Sequence, residues 1–409
     1  MTAVPLHRNR DFLLLQAGRL LSSAGSQFTS IAYPLLVLAV TGSAARAGLV
    51  EFAGILPLAL FALPAGVVAD HVNRRRLMIA ADTVRLVAIA GLAGVILAGR
   101  VGVWASALVA FVEGSGTAVF AAAEPGALRA VVPPRQLPAA AGAQTGRQAA
   151  VRLAGPPIGG ALFGVARALP FLADALSYLC SIGLLLAMRA PFQQARPSGS
   201  ASLRSRVAEG FRFLWGRPFL RSCAVLFGLS NFIGPGVLLA VVVIGRRQGL
   251  SGGQVGLLVA AFGACLLLGS FLSPLVRRHL PVRAVLLLEL WTWMGSGLFL
   301  LGPSVYVLAA SILPTALAIP STDSVVHGYR IAMTPDRLLG RVQSVWSTIA
   351  LVIAPLGPLL AGLLLEASER AAVATFAASG LLLALWGTLS PAIRAAPSLD
   401  ELDDLAGGT

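Results

Sequence analysis

A short stretch with charged residues joins two apolar segments early in the chain: Gly66-Val-Val-Ala-Asp70-His-Val-Asn-Arg74-Arg75. A stretch of the same length and pattern follows another apolar segment 203 residues later, at Gly269-Ser-Phe-Leu-Ser273-Pro-Leu-Val-Arg277-Arg278. Each of these apolar segments has the roughly 20 residues that a helix needs to cross a bilayer. The repetition indicates a membrane chain built from two copies of one plan.

Two further pairs of segments match at nearly the same offset. Gly155-Pro156-Pro-Ile-Gly159-Gly160 corresponds to Gly357-Pro358-Leu-Leu-Ala361-Gly362, 202 residues later. Ser26-Gln27-Phe28 corresponds to Ser230-Asn231-Phe232, 204 residues later. Three matches in one order predict two parallel six-helix repeats, an arrangement found in transporters whose site lies near the membrane midplane.

Composition argues against a soluble enzyme, a disordered chain or a nucleic-acid binder. Charged residues make up 12% of the 409 residues, against roughly 25% in soluble domains, and the mean hydropathy is +0.83. Twelve apolar segments are long enough to span a membrane: 12–40, 46–69, 77–98, 103–124, 138–164, 170–189, 218–244, 253–275, 283–301, 304–325, 340–365 and 371–390. We therefore predict an all-α polytopic membrane protein with 12 transmembrane helices in two pseudo-symmetric six-helix bundles.

The polar segments predict the domain limits and the orientation. The predicted parts are an N-terminal half (1–190), a central cytoplasmic linker (191–217), a C-terminal half (218–390) and a cytoplasmic tail (391–409). Placing both termini in the cytoplasm puts about two thirds of the basic residues on the cytoplasmic side, as the positive-inside rule requires. This topology, together with anionic lipid, accounts for the net charge of +14 without a nucleic-acid partner.

These motifs resemble those of the major facilitator superfamily over essentially the whole chain. The stretch that begins at Gly66 is similar to the family's loop signature G-x-x-x-D-R-x-G-R-[RK], with His71 and Asn73 in place of the usual Arg and Gly. The segment 155–160 resembles the signature of exporters that exchange a drug for a proton. Leu20-Leu-Ser-Ser-Ala-Gly25, Thr41-Gly42-Ser43 and Leu339-Gly340-Arg341-Val342 resemble the enterobactin-exporter and macrolide-efflux branch.

The resemblance implies a gating role for the first motif. Gly66 would let its helix approach a neighbour closely, and Asp70 would pair with an arginine such as Arg74 or Arg75 to hold the cytoplasmic side shut. The alternative is that the arginines only fix the topology.

The second motif predicts a bent and closely packed helix. Pro156 and Pro157 cannot donate backbone hydrogen bonds, so a kink is expected there. Gly155, Gly159 and Gly160 permit close packing around it. Such a helix suits a conformational role, and it also suits plain helix packing.

Amides and aromatic rings are candidates for the substrate cavity. Gln27 and Asn231 each lie about 20 Å into their predicted spans, and Gly234-Pro235-Gly236 is expected to interrupt the second of these helices. The alternative for both amides is a hydrogen bond between helices. The rings that we expect to supply apolar surface are Phe28, Phe111, Phe227 and Phe232.

Ionisable residues within spans are candidates for proton coupling, because they are costly in lipid. Glu113 is the leading one, and a buried ion pair with Arg152 is the alternative reading. Glu51, Asp174 and Asp82 are further candidates, although Asp82 can be neutralised by Arg85 three residues on. Exporters of this type usually carry an arginine where this chain has Ala110, so Arg147 or Arg152 would have to replace it.

We therefore predict a transporter of the bacterial inner membrane that exports a small hydrophobic drug or natural product, with alternating access and proton antiport. Its predicted partners are the substrate, protons and the lipid bilayer, and we expect a monomer. No catalytic set, cofactor or metal site is predicted, because no P-loop, Ser–His–acid set or ligand spacing occurs. The alternatives are a siderophore exporter, a uniporter without proton coupling, a lipid-modifying enzyme or a lipid scramblase.

Overall fold

The computed structural model describes residues 5–189 and 203–396. Within these ranges the chain is helical, with short 3-10 turns and no strand. Residues 191–202 of the predicted linker and 397–409 of the predicted tail lie outside the described residues. The side chain of Asp70 also lies outside them, although its backbone belongs to a helix.

Six long helices make up the first part of the chain. They are α1 (Arg10–Thr41), α2 (Ala44–His71), α3 (Arg74–Leu97), α4 (Val103–Val131), α5 (Leu137–Val165) and α6 (Leu169–Ala187). Side-chain caps begin three of them, since Asn9, Ser43 and Asn73 accept hydrogen bonds from backbone N–H groups of the first turn. Gly42 ends α1 with a φ of 66°, a left-handed conformation that favours a residue without Cβ.

The second part begins with a short helix and continues with longer, partly broken ones. They are α7 (Leu203–Trp215), α8 (Pro218–Arg247), α9 (Gly252–His279), α10 (Val282–Trp293), α11 (Val305–Ser311), α12 (Leu313–Ala332), α13 (Asp336–Ile353), α14 (Leu356–Ala367), α15 (Glu369–Leu389) and α16 (Pro391–Arg394). A 3-10 segment, Met294–Leu300, extends α10. The helices α11 and α12 together form one membrane crossing, and so do α13 and α14. With α8, α9, the extended α10 and α15, the second part therefore also supplies six crossings.

Eleven helical segments in the described ranges are long and apolar enough to cross a membrane. The remaining long helix, α5, has 29 residues. Polar residues between Gln144 and Arg152 lower its hydropathy. Together these twelve crossings confirm the predicted all-α polytopic fold.

One predicted interruption is wrong, and the breaks occur elsewhere. α8 runs unbroken through Gly234-Pro235-Gly236, and α5 runs unbroken through Pro156 and Pro157. A proline removes one backbone hydrogen bond, which neighbouring turns tolerate. Instead, the helix breaks fall at Ile312 and at residues 354–355 in the second half.

The chain divides into two compact units. Unit 1 consists of Met1–Ser198 and Gly245–Ala260, and unit 2 consists of Gly199–Ile244 and Ala261–Thr409. In unit 1, α1 packs on α5 and α6, and α2 and α3 pack on α4. In unit 2, α10 packs on α12 and α15, and the amphipathic α7 packs on α13.

Candidate functional site

A buried carboxyl group on α4 forms the centre of the site in unit 1. Glu113 is only 8% exposed. Its Oε2 accepts a hydrogen bond from the Tyr33 hydroxyl at 2.9 Å. Its Oε1 accepts one from Tyr178 at 3.0 Å and one from Thr29 at 3.3 Å. Helices α1 and α6 thus hold this carboxyl group in place with hydroxyl donors.

A second buried carboxyl group, on α6, shares one of these donors. Asp174 is fully buried, and its Oδ2 lies 3.1 Å from the Thr29 hydroxyl. Its Oδ1 accepts from Ser177 at 3.1 Å. A Cβ on Gly25 of α1 would collide with Asp174 and Ser177, so the absence of a side chain there lets the two helices meet.

An ion pair within α3 completes the cluster. The Arg85 guanidinium donates to Asp82 at 3.0 Å, and both side chains are buried. It also donates to the Ser26 hydroxyl at 3.0 Å and lies 4.1 Å from the centre of the Tyr178 ring. Because the Tyr178 and Ser26 hydroxyls are 3.0 Å apart, the ion pair connects to Glu113 through Tyr178.

The cluster therefore holds more acids than bases. Asp82 is neutralised by Arg85, whereas neither Glu113 nor Asp174 has an arginine within ion-pair distance among the described residues. The Thr29 hydroxyl has one hydrogen and can donate to only one of these two carboxyl groups at a time. This arrangement can take up and pass on a proton.

A cavity of about 160 Å³ opens beside Glu113. Its walls come from α1, α2 and α4: Ser26, Thr29, Ser30, Tyr33, Val50, Glu51, Gly54, Ile55, Leu58, Ala110, Glu113, Gly114 and Thr117. The cavity has room for several waters and is smaller than the roughly 300–1,000 Å³ of drug-sized pockets. Glu51 and Glu113, which are both predicted proton-coupling residues, thus line the same small cavity.

The predicted ion pair between Glu113 and Arg152 does not form. The Arg152 side chain is exposed, and the contacts of Glu113 are the three hydroxyls described above. Arg147 pairs instead with Glu124 at 3.2 Å. Neither arginine therefore takes the place left by Ala110, and the buried arginine of the cluster is Arg85.

The predicted cavity residues of α1 and α4 lie outside this cavity. The Gln27 side chain and the Phe28 backbone lie against α5, where a Cβ on Gly155 or Gly159 would collide with them. Phe111 packs edge-on against Phe61, with 6.3 Å between the ring centres.

The α5 motif is a packing surface inside unit 1. Gly155 and Gly159 lie against α1, and Gly160 lies against the backbone of Gly252 at the start of α9. Gly256 of α9 in turn lies against the backbone of Pro156. The motif thus holds α1 and the first turns of α9 close to α5.

The structure describes only part of the motif that begins at Gly66. Among the described residues, no atom lies within 4 Å of the place where a Cβ on Gly66 would sit, so the close approach at Gly66 stays a prediction. Asp70 cannot be placed, because its side chain lies outside the described residues. Arg74 lies against Gly126 of α4, and Arg75 donates to the backbone oxygen of Leu186.

The predicted candidates on α8 lie in unit 2. Phe227 is buried, and its backbone oxygen accepts from the exposed Asn231 at 2.7 Å. Phe232 packs on Phe376, with 5.3 Å between ring centres. The Asn231 amide therefore bonds within its own helix.

Sequence reasoning missed several groups. Tyr33 and Tyr178 gave no signal, because tyrosines are common in membrane helices. Glu124 was missed at the end of predicted span 4, where it pairs with Arg19 at 3.1 Å. Glu289 was missed although the rule for ionisable residues in spans applies to it as well.

The family model described as "Transmembrane secretion effector" matches residues 2–405. The chain belongs to this family. It is a membrane efflux transporter of the major facilitator type and not an enzyme. The family assignment agrees with the repeat and with the motifs of α2 and α5.

Curated relatives and solved structures agree with this assignment. The multidrug efflux pump Tap of Mycobacterium tuberculosis (strain ATCC 25618 / H37Rv) is 30% identical, over 97% of this chain and 96% of its own. Macrolide efflux protein A of Streptococcus pyogenes is 24% identical, over 95% and 97%. A bacterial homologue of the iron transporter ferroportin shares the fold, with a TM-score of 0.73, 20% identity and coverage of 94% and 99%.

Proposed function

We propose that this transmembrane secretion effector exports small hydrophobic compounds from a bacterial cell in exchange for protons. In this proposal it works as a monomer in the inner membrane, with both termini in the cytoplasm. The halves 1–190 and 218–390 alternate access to the substrate. Two relatives support the substrate class, since one is named a multidrug efflux pump and the other a macrolide efflux protein.

The observation that carries the proposal is the pair of carboxyl groups joined by Thr29. Charged groups within the membrane are expensive unless they are paired, and Glu113 and Asp174 have hydroxyl partners where a cation would be needed. Two neighbouring carboxyl groups avoid their mutual repulsion by sharing one proton. Glu113 and Asp174 are therefore the pair that carries the exchanged proton.

The cavity supplies the route for that proton. It reaches Glu113 between α1, α2 and α4, and its hydroxyl groups can order a chain of waters. Its size favours water over a drug molecule. Glu51 also lines this cavity and is the first acid on this route.

The hydrogen bonds also couple the proton to movement of the helices. Thr29 and Tyr33 belong to α1, Tyr178 belongs to α6, and Glu113 belongs to α4. A proton on Glu113 turns one of its oxygens into a donor and weakens that oxygen as an acceptor, so the hydrogen bonds with α1 and α6 change when the proton binds. The packing of α5 against α1 and α9 then carries this shift, while Arg74 and Arg75 hold the cytoplasmic ends of α3, α4 and α6.

Ethidium efflux in everted membrane vesicles tests the proposal. The wild type should accumulate ethidium in the lumen when the lumen is acidic, by about tenfold for each coupled proton and each pH unit. Collapsing the pH gradient should abolish this accumulation, and Glu113→Gln should abolish its dependence on pH. Wild-type transport that ignores the gradient would favour the uniporter reading.

A further inference from the structure

Unit 2 contains a buried carboxyl group that the proposed mechanism does not use. Glu289 of α10 is only 4% exposed, and its Oε1 accepts from the Ser230 hydroxyl of α8 at 3.3 Å. In the part of the chain that the structure describes, no arginine forms an ion pair with it. A lone carboxyl group this deep in a membrane helix is a functional candidate by its cost alone.

The internal repeat places Ser230 where unit 1 has Ser26, 204 residues earlier. In unit 1 the Ser26 hydroxyl accepts a hydrogen bond from Arg85 of α3 at 3.0 Å, and Arg85 is neutralised by Asp82. In unit 2 the Ser230 hydroxyl donates to Glu289 of α10. The equivalent serine thus contacts a neutral ion pair in one unit and, in the other, an acid that has no ion-pair partner among the described residues.

Among the described residues, Asp323 is the ionisable neighbour of Glu289. On α12, Asp323 is exposed and interacts electrostatically with Glu289. Further along α12, Arg330 and His327 contact each other. α8 contributes the Ser230 hydroxyl, and no charged side chain of α8 is in contact with Glu289.

α15 also packs on α10. Gly387 of α15 lies against Leu287 and Leu290, which flank Glu289 on α10. Leu286 and Leu290 are each 1% exposed. Such close packing admits a proton without moving a side chain, whereas an organic cation or a metal ion would need space and further ligands.

We infer that Glu289 is a second proton-exchange site, so that each transport cycle exchanges two protons. The inference rests on the proposed proton antiport. Asp323 is the exposed acid that delivers the proton to Glu289 and receives it back. The proton binds as Glu289 passes from carboxylate to carboxylic acid, and no other reactant is consumed.

The charge that moves in each cycle distinguishes two protons from one. Ethidium carries one positive charge, so exchange against two protons moves one net charge and exchange against one proton moves none. With no pH gradient and a lumen-positive potential, everted vesicles with the wild type should accumulate ethidium up to about 50-fold at 100 mV. Passive ethidium moves the other way, which keeps the background low.

Variants of Glu289 should lose this response and keep transport driven by a pH gradient. Glu289→Gln preserves the acceptor for Ser230, and Glu289→Leu matches its apolar neighbours if the first variant folds poorly. Glu209→Gln in the same unit is the control and should behave as the wild type. The inference is overturned if both Glu289 variants still respond to the potential, or if the wild type responds only to the pH gradient. A wild type that responds to neither gradient refutes the proposed antiport itself.

An infrared measurement tests the same site without any substrate. The pH-difference spectrum of the reconstituted full-length protein should contain a carboxylic C=O band that Glu289→Gln removes and Glu113→Gln leaves in place. Identical carboxylic bands in the wild type and Glu289→Gln would overturn the inference.

Discussion

The contact between α1 and α5 makes a quantitative prediction for Gly159→Ala. An added Cβ would lie 2.6 Å from Phe28 Cα and 2.7 Å from the Phe28 backbone oxygen. Ordinary contact begins at about 3.4 Å, so the two helices would have to separate by about 0.8 Å. Overpacking of this kind costs about 1–3 kcal/mol. The obstacle is backbone and not a flexible side chain, so we expect the upper part of this range.

The same helix contains a matched control. A Cβ on Gly164 would meet no atom of the described residues within 4 Å, so Gly164→Ala should be neutral or slightly stabilising, because alanine favours the helix.

Thermal unfolding of the purified protein in detergent measures both variants, alongside their ethidium efflux. For a unit of this size each kcal/mol corresponds to about 2–4 °C in Tm. Gly159→Ala should lower Tm by several degrees and slow efflux, whereas Gly164→Ala should do neither. Equal Tm values for Gly159→Ala and the wild type would refute the close packing of α1 on α5.

The buried network makes further predictions. Tyr33→Phe removes a donor of Glu113 and should cost about 1–3 kcal/mol in the free energy of unfolding; an unchanged unfolding midpoint in denaturant would contradict the contact. Asp82→Asn leaves Arg85 as a buried charge without its partner and should cost about 3–5 kcal/mol, so it should show the lowest Tm of the set. Glu209→Gln breaks a half-exposed pair with Arg341 and should change stability by less than about 1 kcal/mol; a larger loss would show that α7 depends on that pair.

The fold could be predicted from the sequence because lipid imposes strong rules on it. A helix must supply about 20 apolar residues, and the repeated segments that begin at Gly66 and Gly269 fix the order of the two halves. Helix breaks were harder to place. Prolines occur both inside the unbroken α8 and beside the break at residues 354–355, so local sequence did not decide between them.

The acidic residues of the site could be predicted from the sequence, but their hydrogen-bond and ion-pair partners could not. Glu113, Asp174 and Asp82 stand out because charge is rare in spans. Their partners depend on how helices rotate against one another, and this rotation is set by small residues such as Gly25. The sequence suggests a pair between Arg152 and Glu113 because both lie near the middle of neighbouring spans. The depth of a residue in the membrane does not specify on which face of α5 the Arg152 side chain lies.

Proton release from the purified protein shows whether Glu113 and Asp174 carry the exchanged proton. Ethidium is added to weakly buffered protein, and the released protons are counted with a pH indicator. Wild type and Glu209→Gln should release protons on binding the dye, and Glu113→Gln should release clearly fewer while still binding it. Equal release from wild type and Glu113→Gln would contradict the assignment of the exchanged proton to Glu113 and Asp174.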